Sequence, residues 1–72
     1  MSKADEMFEK LDYIVEEAKF NVYIGKGNLN ENFVNCFVIH KNSKSISIFK
    51  NLISKGELQA INQKCKELRV VR

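Results

Sequence analysis

Few residues in this sequence could do chemistry. His40 is the sole histidine, and Cys36 and Cys65 are the two cysteines. These side chains are the natural candidates for proton transfer or nucleophilic attack near neutral pH. A general base needs a nucleophile or substrate beside it and a group to orient it. Nothing near in sequence supplies either to His40. Cys36 and His40 fall on one side of a strand-prone run, but four residues of strand separate them by about 13 Å. The spacing 36, 40, 65 matches no common zinc module, and the cysteines form no C-x-x-C pair. Both read as buried thiols in a reducing compartment.

The remaining motifs are equally plain. Gly25-Lys26-Gly27 would need a third Gly at Asn30 to be a dinucleotide fingerprint. A P-loop would need Gly-Lys-Ser/Thr, so the segment reads as a turn. Asp5 and Glu9 share a helix face at i, i+4, and Glu16-Glu17 adjoin, which suits a solvated surface better than an acid–base pair. No catalytic, metal or cofactor residue is assigned, and the expectation is a chain that is not an enzyme.

Charge is unevenly spread. Residues 1–18 carry two Lys against six Asp and Glu, a net −4, whereas residues 19–72 carry ten Lys and Arg against three Glu, a net +7. Head and body could attract each other when folded, or offer two partner surfaces of opposite sign. Lys41, Lys44, Lys50, Lys64 and Arg69 are the candidate nucleic-acid surface, with Tyr23 and Phe49 as stacking groups. Residues 34–41 lack the glycine and paired aromatics of the common RNA-binding sheet motif.

The elements that position these residues follow from periodicity. The chain has 72 residues, 44% apolar and 29% charged, with no Pro or Trp. That is one folded domain, residues 1–72, with one thin core and little room for a deep cavity. No apolar run approaches the roughly 18 residues of a membrane span. The acidic start is unlike a secretory signal, and the reading is cytoplasmic. Ser2 can cap a helix over residues 3–11, with Ala4, Met7, Phe8 and Leu11 as its apolar stripe. A strand near 12–17 follows, although a helical pattern could also run on to Ala18. Further strands are read at 20–24, 33–40 and 45–50. Ser54-Lys55-Gly56-Glu57 fits a capping box before a closing helix striped by Leu58, Ile61, Cys65 and Leu68. The fold class is α+β: a short first helix, an antiparallel meander of three to four strands, and a last helix.

Alternation sorts the strands into two faces. Phe20, Val22, Ile24, Phe33, Phe37, Ile39, Ile46 and Ile48 form the natural core. The other face holds Tyr23, Val34, Cys36, Val38, His40 and Phe49, more apolar than a wet face needs to be. Either a helix covers each side, or sheet twist hides part of this face, or Tyr23, Val34, Val38, His40 and Phe49 form a protein-partner or homodimer surface.

Two stretches carry a resemblance. Residues 2–13, SKADEMFEKLDY, and 57–68, ELQAINQKCKEL, resemble the two ends of a group of short, uncharacterised proteins of phages, prophages and other mobile elements of Gram-positive bacteria. In that group the ends run ADEMFEKLGY and ELQAINKKCEELGW, around a variable, strand-rich middle. The match covers about a third of the chain. Asp12 stands where relatives commonly have Gly, and Arg69-Val70 replaces their Gly-Trp. The resemblance implies a short first helix followed directly by strand, and a mobile-element accessory protein in a bacterial cytoplasm. It transfers no site residues. Function is thus expected to be binding, to a protein or to a second copy; the alternative is a nucleic-acid module built on the basic C-terminal half.

Overall fold

The computed structural model describes residues 2–28 and 32–69, and not the side chain of Arg69. The order is α1 (Lys3–Lys10), β1 (Ile14–Glu17), β2 (Asn21–Lys26), β3 (Val34–His40), β4 (Ser45–Ile48) and α2 (Lys55–Arg69). This is the α-β-β-β-β-α arrangement expected from the sequence. No helix among the described residues is long and apolar enough to cross a membrane.

Ser2 starts α1 from an extended conformation, and its hydroxyl accepts the Asp5 N–H at 3.0 Å. Asp5 and Glu6 then occupy the first turn, where the helix dipole favours acid. Ser2→Ala should lower stability by about 1 kcal/mol in a denaturant titration.

The end of α1 explains why no longer helix forms. Tyr13 N–H donates to the Phe8 carbonyl and Asp12 N–H to the Glu9 carbonyl, the paired bonds of a Schellman motif. Its left-handed residue is Asp12, at φ 65°. The Tyr13 ring then meets Phe8 edge-on, centroids 6.1 Å apart. Glycine adopts this φ without strain, and aspartate does not. Asp12→Gly should therefore raise stability by about 1 kcal/mol.

Short connections make the sheet a meander, β1-β2-β3-β4, antiparallel throughout. Ile24 pairs with Phe37, but the register shifts by one so that Gly25 pairs with Asn35 and Lys26 with Val34. That β-bulge corrects the expected faces. Cys36 packs against the core instead of sharing a side with His40. The Phe33 ring lies over Gly25 on the opposite side from Ile24, and Val34, exposed, leaves the row it was assigned to. A Cβ on Gly25 would overlap the Val34 carbonyl oxygen, so only glycine fits there.

Both helices cover the same face. Phe8, Ala60 and Ile61 bury against Val22, Ile24, Phe37, Ile39 and Tyr13 in one cluster. Along α2, Glu57, Ala60, Ile61 and Lys64 are buried, and Cys65 and Leu68 pack half-buried against the core; of the expected stripe only Leu58 is exposed. The helices leave one side of that face thinly covered. Phe20 is exposed, and Ile46 and Ile48 keep 37% and 47% of their surface in solvent. These three were expected in the core.

Hydrogen-bond direction in β4 matters below. Phe49 N–H donates to the Cys36 carbonyl at 2.9 Å. Alternation along an antiparallel ladder then turns the main-chain groups of Ser45 and Ser47 toward β3, and those of Ile46 and Ile48 outward.

Candidate functional site

The helix-free face of the sheet is the candidate site. Register sets its rows. Glu16, Tyr23, Val38 and Ser47 are successive cross-strand partners, and Asn21, His40 and Ser45 form the next row. Of the five residues assigned from sequence, Tyr23, Val38 and His40 meet here. Phe49 flanks them beyond β4, 64% exposed, and Val34 lies past the bulge. Val38 is only 6% exposed, so it is the floor of this face rather than a contact point.

A chain of hydrogen bonds crosses the rows. Asn21 Nδ2 donates to the Tyr23 hydroxyl at 3.0 Å, which leaves Asn21 Oδ1 to face His40 Nδ1 at 3.1 Å. A carbonyl oxygen only accepts, so Nδ1 carries the proton and donates. In the neutral ring Nε2 is then an acceptor for the Ser47 hydroxyl, 2.8 Å away. Two-residue alternation explains the geometry: Asn21 and Tyr23 share a face of β2, His40 stands opposite Asn21, and Ser47 is diagonal to it.

His40 therefore has both a hydroxyl and an orienting group, contrary to the expectation from sequence that its neighbours are missing. The order serine–histidine–amide has the outline of a hydrolytic triad. Two features separate it from a working one. The amide of Asn21 fixes the tautomer but carries no charge to stabilise an imidazolium. The Ser47 N–H faces β3 in the ladder, so it is not aimed at a developing oxyanion. What the network does is hold the Tyr23 and His40 rings, both half-buried, in fixed orientations. Such rings offer an apolar body and a polar tip to a ligand.

The basic residues assigned from sequence lie elsewhere and are engaged. Lys41 Nζ bonds Glu17 at 3.0 Å and the Ala18 carbonyl at 2.8 Å. Lys64, 3% exposed on α2, bonds Asp5 at 3.0 Å and Glu17 at 3.4 Å. Burial alone would lower its pKa; those two carboxylates outweigh burial and raise it. The acidic head and the basic body thus attract each other inside one fold. Lys50 donates to Glu57 and to the Tyr13 hydroxyl. Of the four described, only Lys44, in the turn before β4, is a solvated cation; the Arg69 side chain lies outside the described residues.

Tyr13, Lys50 and Glu57 form a second polar cluster that the sequence reading missed. Glu57 completes the capping box, accepting the Ser54 N–H at 2.8 Å while its own N–H donates to Ser54 Oγ at 3.1 Å. It also accepts from Tyr13 and Lys50. Burial pushes its carboxyl up, but these hydrogen bonds prevail and hold it at about 2. The cluster ties the α1–β1 connection, the β4–α2 connection and α2 together on the helical side, so it builds the scaffold rather than the face.

Asn21, Ser47 and Phe33 are the face residues that sequence reasoning missed. Ser45 and Ser47 alternate with isoleucines, a signal that they share the side of His40, but the hairpin register was needed to join them. Among the described residues no group of three His, Cys, Asp or Glu side chains is placed to hold a metal. Cys36 and Cys65 are half-buried. No family model, curated protein or solved structure matches this chain.

Proposed function

We propose that this chain is a non-catalytic accessory protein of a phage, prophage or related mobile element, acting in the cytoplasm of a Gram-positive bacterium by binding protein. The observation that carries the reading is the helix-free face. A sheet packed on one side only normally turns a polar face to water. Here that face presents Tyr23, His40 and Phe33, with Phe49 at its rim and Glu16 as its one charged row member. Amphipathic rings with few charges are the composition of interface centres.

The resemblance to mobile-element proteins supports the origin. Residues 2–13 and 57–68 supply the helical layer, and the strand-rich middle, which resembles the group only in pattern, supplies the face. A shared scaffold with a divergent face suits proteins that keep a fold and change partner. The engagement of Lys41, Lys50 and Lys64 weighs against the nucleic-acid alternative, which needs a stripe of solvated cations to neutralise phosphates.

Capture from the host cytoplasm tests this. The wild-type chain should retain a protein that Tyr23→Ala and Phe49→Asp fail to retain, with both variants still folded by circular dichroism. Equal capture by all three chains would contradict the placement. Retention of a mixed single-stranded oligonucleotide, lost steeply as salt rises, would contradict the protein-binding reading and favour nucleic acid.

A further inference from the structure

We infer that β4 is a dimerisation edge, at which two copies of the chain pair antiparallel about a twofold axis at Ser47 to form one continuous sheet. The inference rests on the protein-binding reading above and names a second copy of this chain as one partner.

The two edges of the sheet are built differently. The β1 edge carries Glu16 and Glu17, both exposed, and Glu17 also anchors Lys41 and Lys64. Charges of this kind keep an edge from pairing. The β4 edge reads Ser45-Ile46-Ser47-Ile48, with no charge and no proline, and its ladder with β3 is regular. Of the lysines at its ends, Lys50 is turned to Tyr13 and Glu57, and Lys44 sits in the turn.

A second β4 is the occupant whose register fits. The main-chain N–H and C=O groups of Ile46 and Ile48 point outward and are the groups a new strand would meet. An axis at Ser47 sets Ile46 opposite Ile48 of the second copy, and Ile48 opposite its Ile46. All four are outward-directed, so both pairs become doubly hydrogen-bonded pairs. Ser47 then faces its own copy in the closer, non-hydrogen-bonded position, with Cα atoms about 4.5 Å apart. The side chains fit as well. Ile46 and Ile48, only partly covered by the helices, would pack against the same two residues across the axis on the helical side. Lys44 would lie opposite Lys50 of the second copy, whose charge Glu57 already meets. The axis stands normal to the sheet, so both helix-free faces lie on one side. The partner surface becomes a double one, with the Ser47–His40 pairs at its centre.

Sedimentation equilibrium over a concentration series, with variants, tests the pairing. The wild-type chain should move from its monomer mass of 8.4 kDa to twice that as concentration rises. Ile46→Pro removes an outward N–H and no bond of the β3–β4 ladder, so it should stay folded and monomeric. Ile48→Lys, which puts a charge on a half-exposed position, should also be monomeric and serves if the proline variant does not fold. Mild oxidation of Ser47→Cys should give a 47–47 disulfide in peptide maps. Ser45→Cys should give no 45–45 disulfide, since this register sets those residues about 13 Å apart. A wild type that is monomeric at millimolar concentration, a dimer that survives both Ile variants, or absence of the 47–47 bond would overturn the pairing. A monomer that still captures a host protein through Tyr23 and Phe49 would sink only the dimer; loss of that capture sinks the reading beneath it.

Discussion

Replacing Glu57 with alanine should destabilise the fold by about 3 kcal/mol, from a lost helix cap of about 1 kcal/mol and a buried Tyr13 hydroxyl left without its acceptor. Few exchanges outside the apolar core should cost as much, because one carboxylate serves Ser54, Tyr13 and Lys50. Chemical denaturation of Glu57→Ala beside the wild type measures it. A loss under about 1 kcal/mol would mean the cluster is replaceable by water. The pH dependence follows from the same group. Its folded carboxyl, at about 2, lies below the ordinary 4.5, so its contribution is full above 4.5 and fades as pH falls toward 2. Glu17, held down first by the Lys41 hydrogen bond, and Glu67, whose hydrogen bonds outweigh burial, add to acid lability with the same sign. Tyr13, raised by burial and then by its bond to Glu57, and Lys50, raised by Glu57 and Tyr13, act at the other end. Their contributions are present below their ordinary values of 10.0 and 10.5 and are lost as pH rises past them. In Glu57→Ala the acid limb should flatten.

Gly25→Ala should be of similar size, about 3 kcal/mol, since overpacking against rigid neighbours sets its cost. The added Cβ meets the Val34 carbonyl oxygen, which belongs to the backbone and cannot step aside, and stands 2.9 Å from Phe33 Cζ. Thermal unfolding gives the loss. A one-residue slip that removes the bulge could relieve the overlap, and it would return Val34 to the row of Val38 while sending Phe33 to the helical side. Amide chemical shifts confined to residues 24–26 and 33–37 would report it. A folded, unshifted Gly25→Ala chain of wild-type stability would show that the bulge does not depend on this glycine.

These two sites also mark where the sequence was legible. Ser2, the Ala4–Phe8 stripe and the Ser54–Glu57 box are local patterns, and each was read correctly because all of its partners lie within one or two turns. On α2, Ile61, Cys65 and Leu68 face the core as read, but Leu58 does not, and the buried Glu57 and Lys64 were missed because apolar residues alone were counted. Lys64 buries only by reaching Asp5 and Glu17, 59 and 47 residues away in the chain. The start of β3, Phe33 to Cys36, was misread because strict alternation was carried through the bulge opposite Gly25, whereas Phe37 to His40 were placed on the right faces. A glycine inside a strand is itself the signal of a bulge or a close approach. The His40 network needed two registers at once, and neither is encoded near His40. Phe20, Ile46 and Ile48 were placed in a core that two short helices cannot fully roof.

On the function proposed above, the reactive groups of this chain serve its architecture, and binding falls where the helices leave the sheet bare: the Tyr23–His40 face and the β4 edge. Amide hydrogen exchange along β4 tests that claim most directly. As protein concentration rises, the Ile46 and Ile48 amides should pass from fast exchange to protection, while the amides of α1 keep their rates. Ile46 and Ile48 amides that exchange freely at every concentration, in a chain that is otherwise folded, would contradict the part of it that rests on β4.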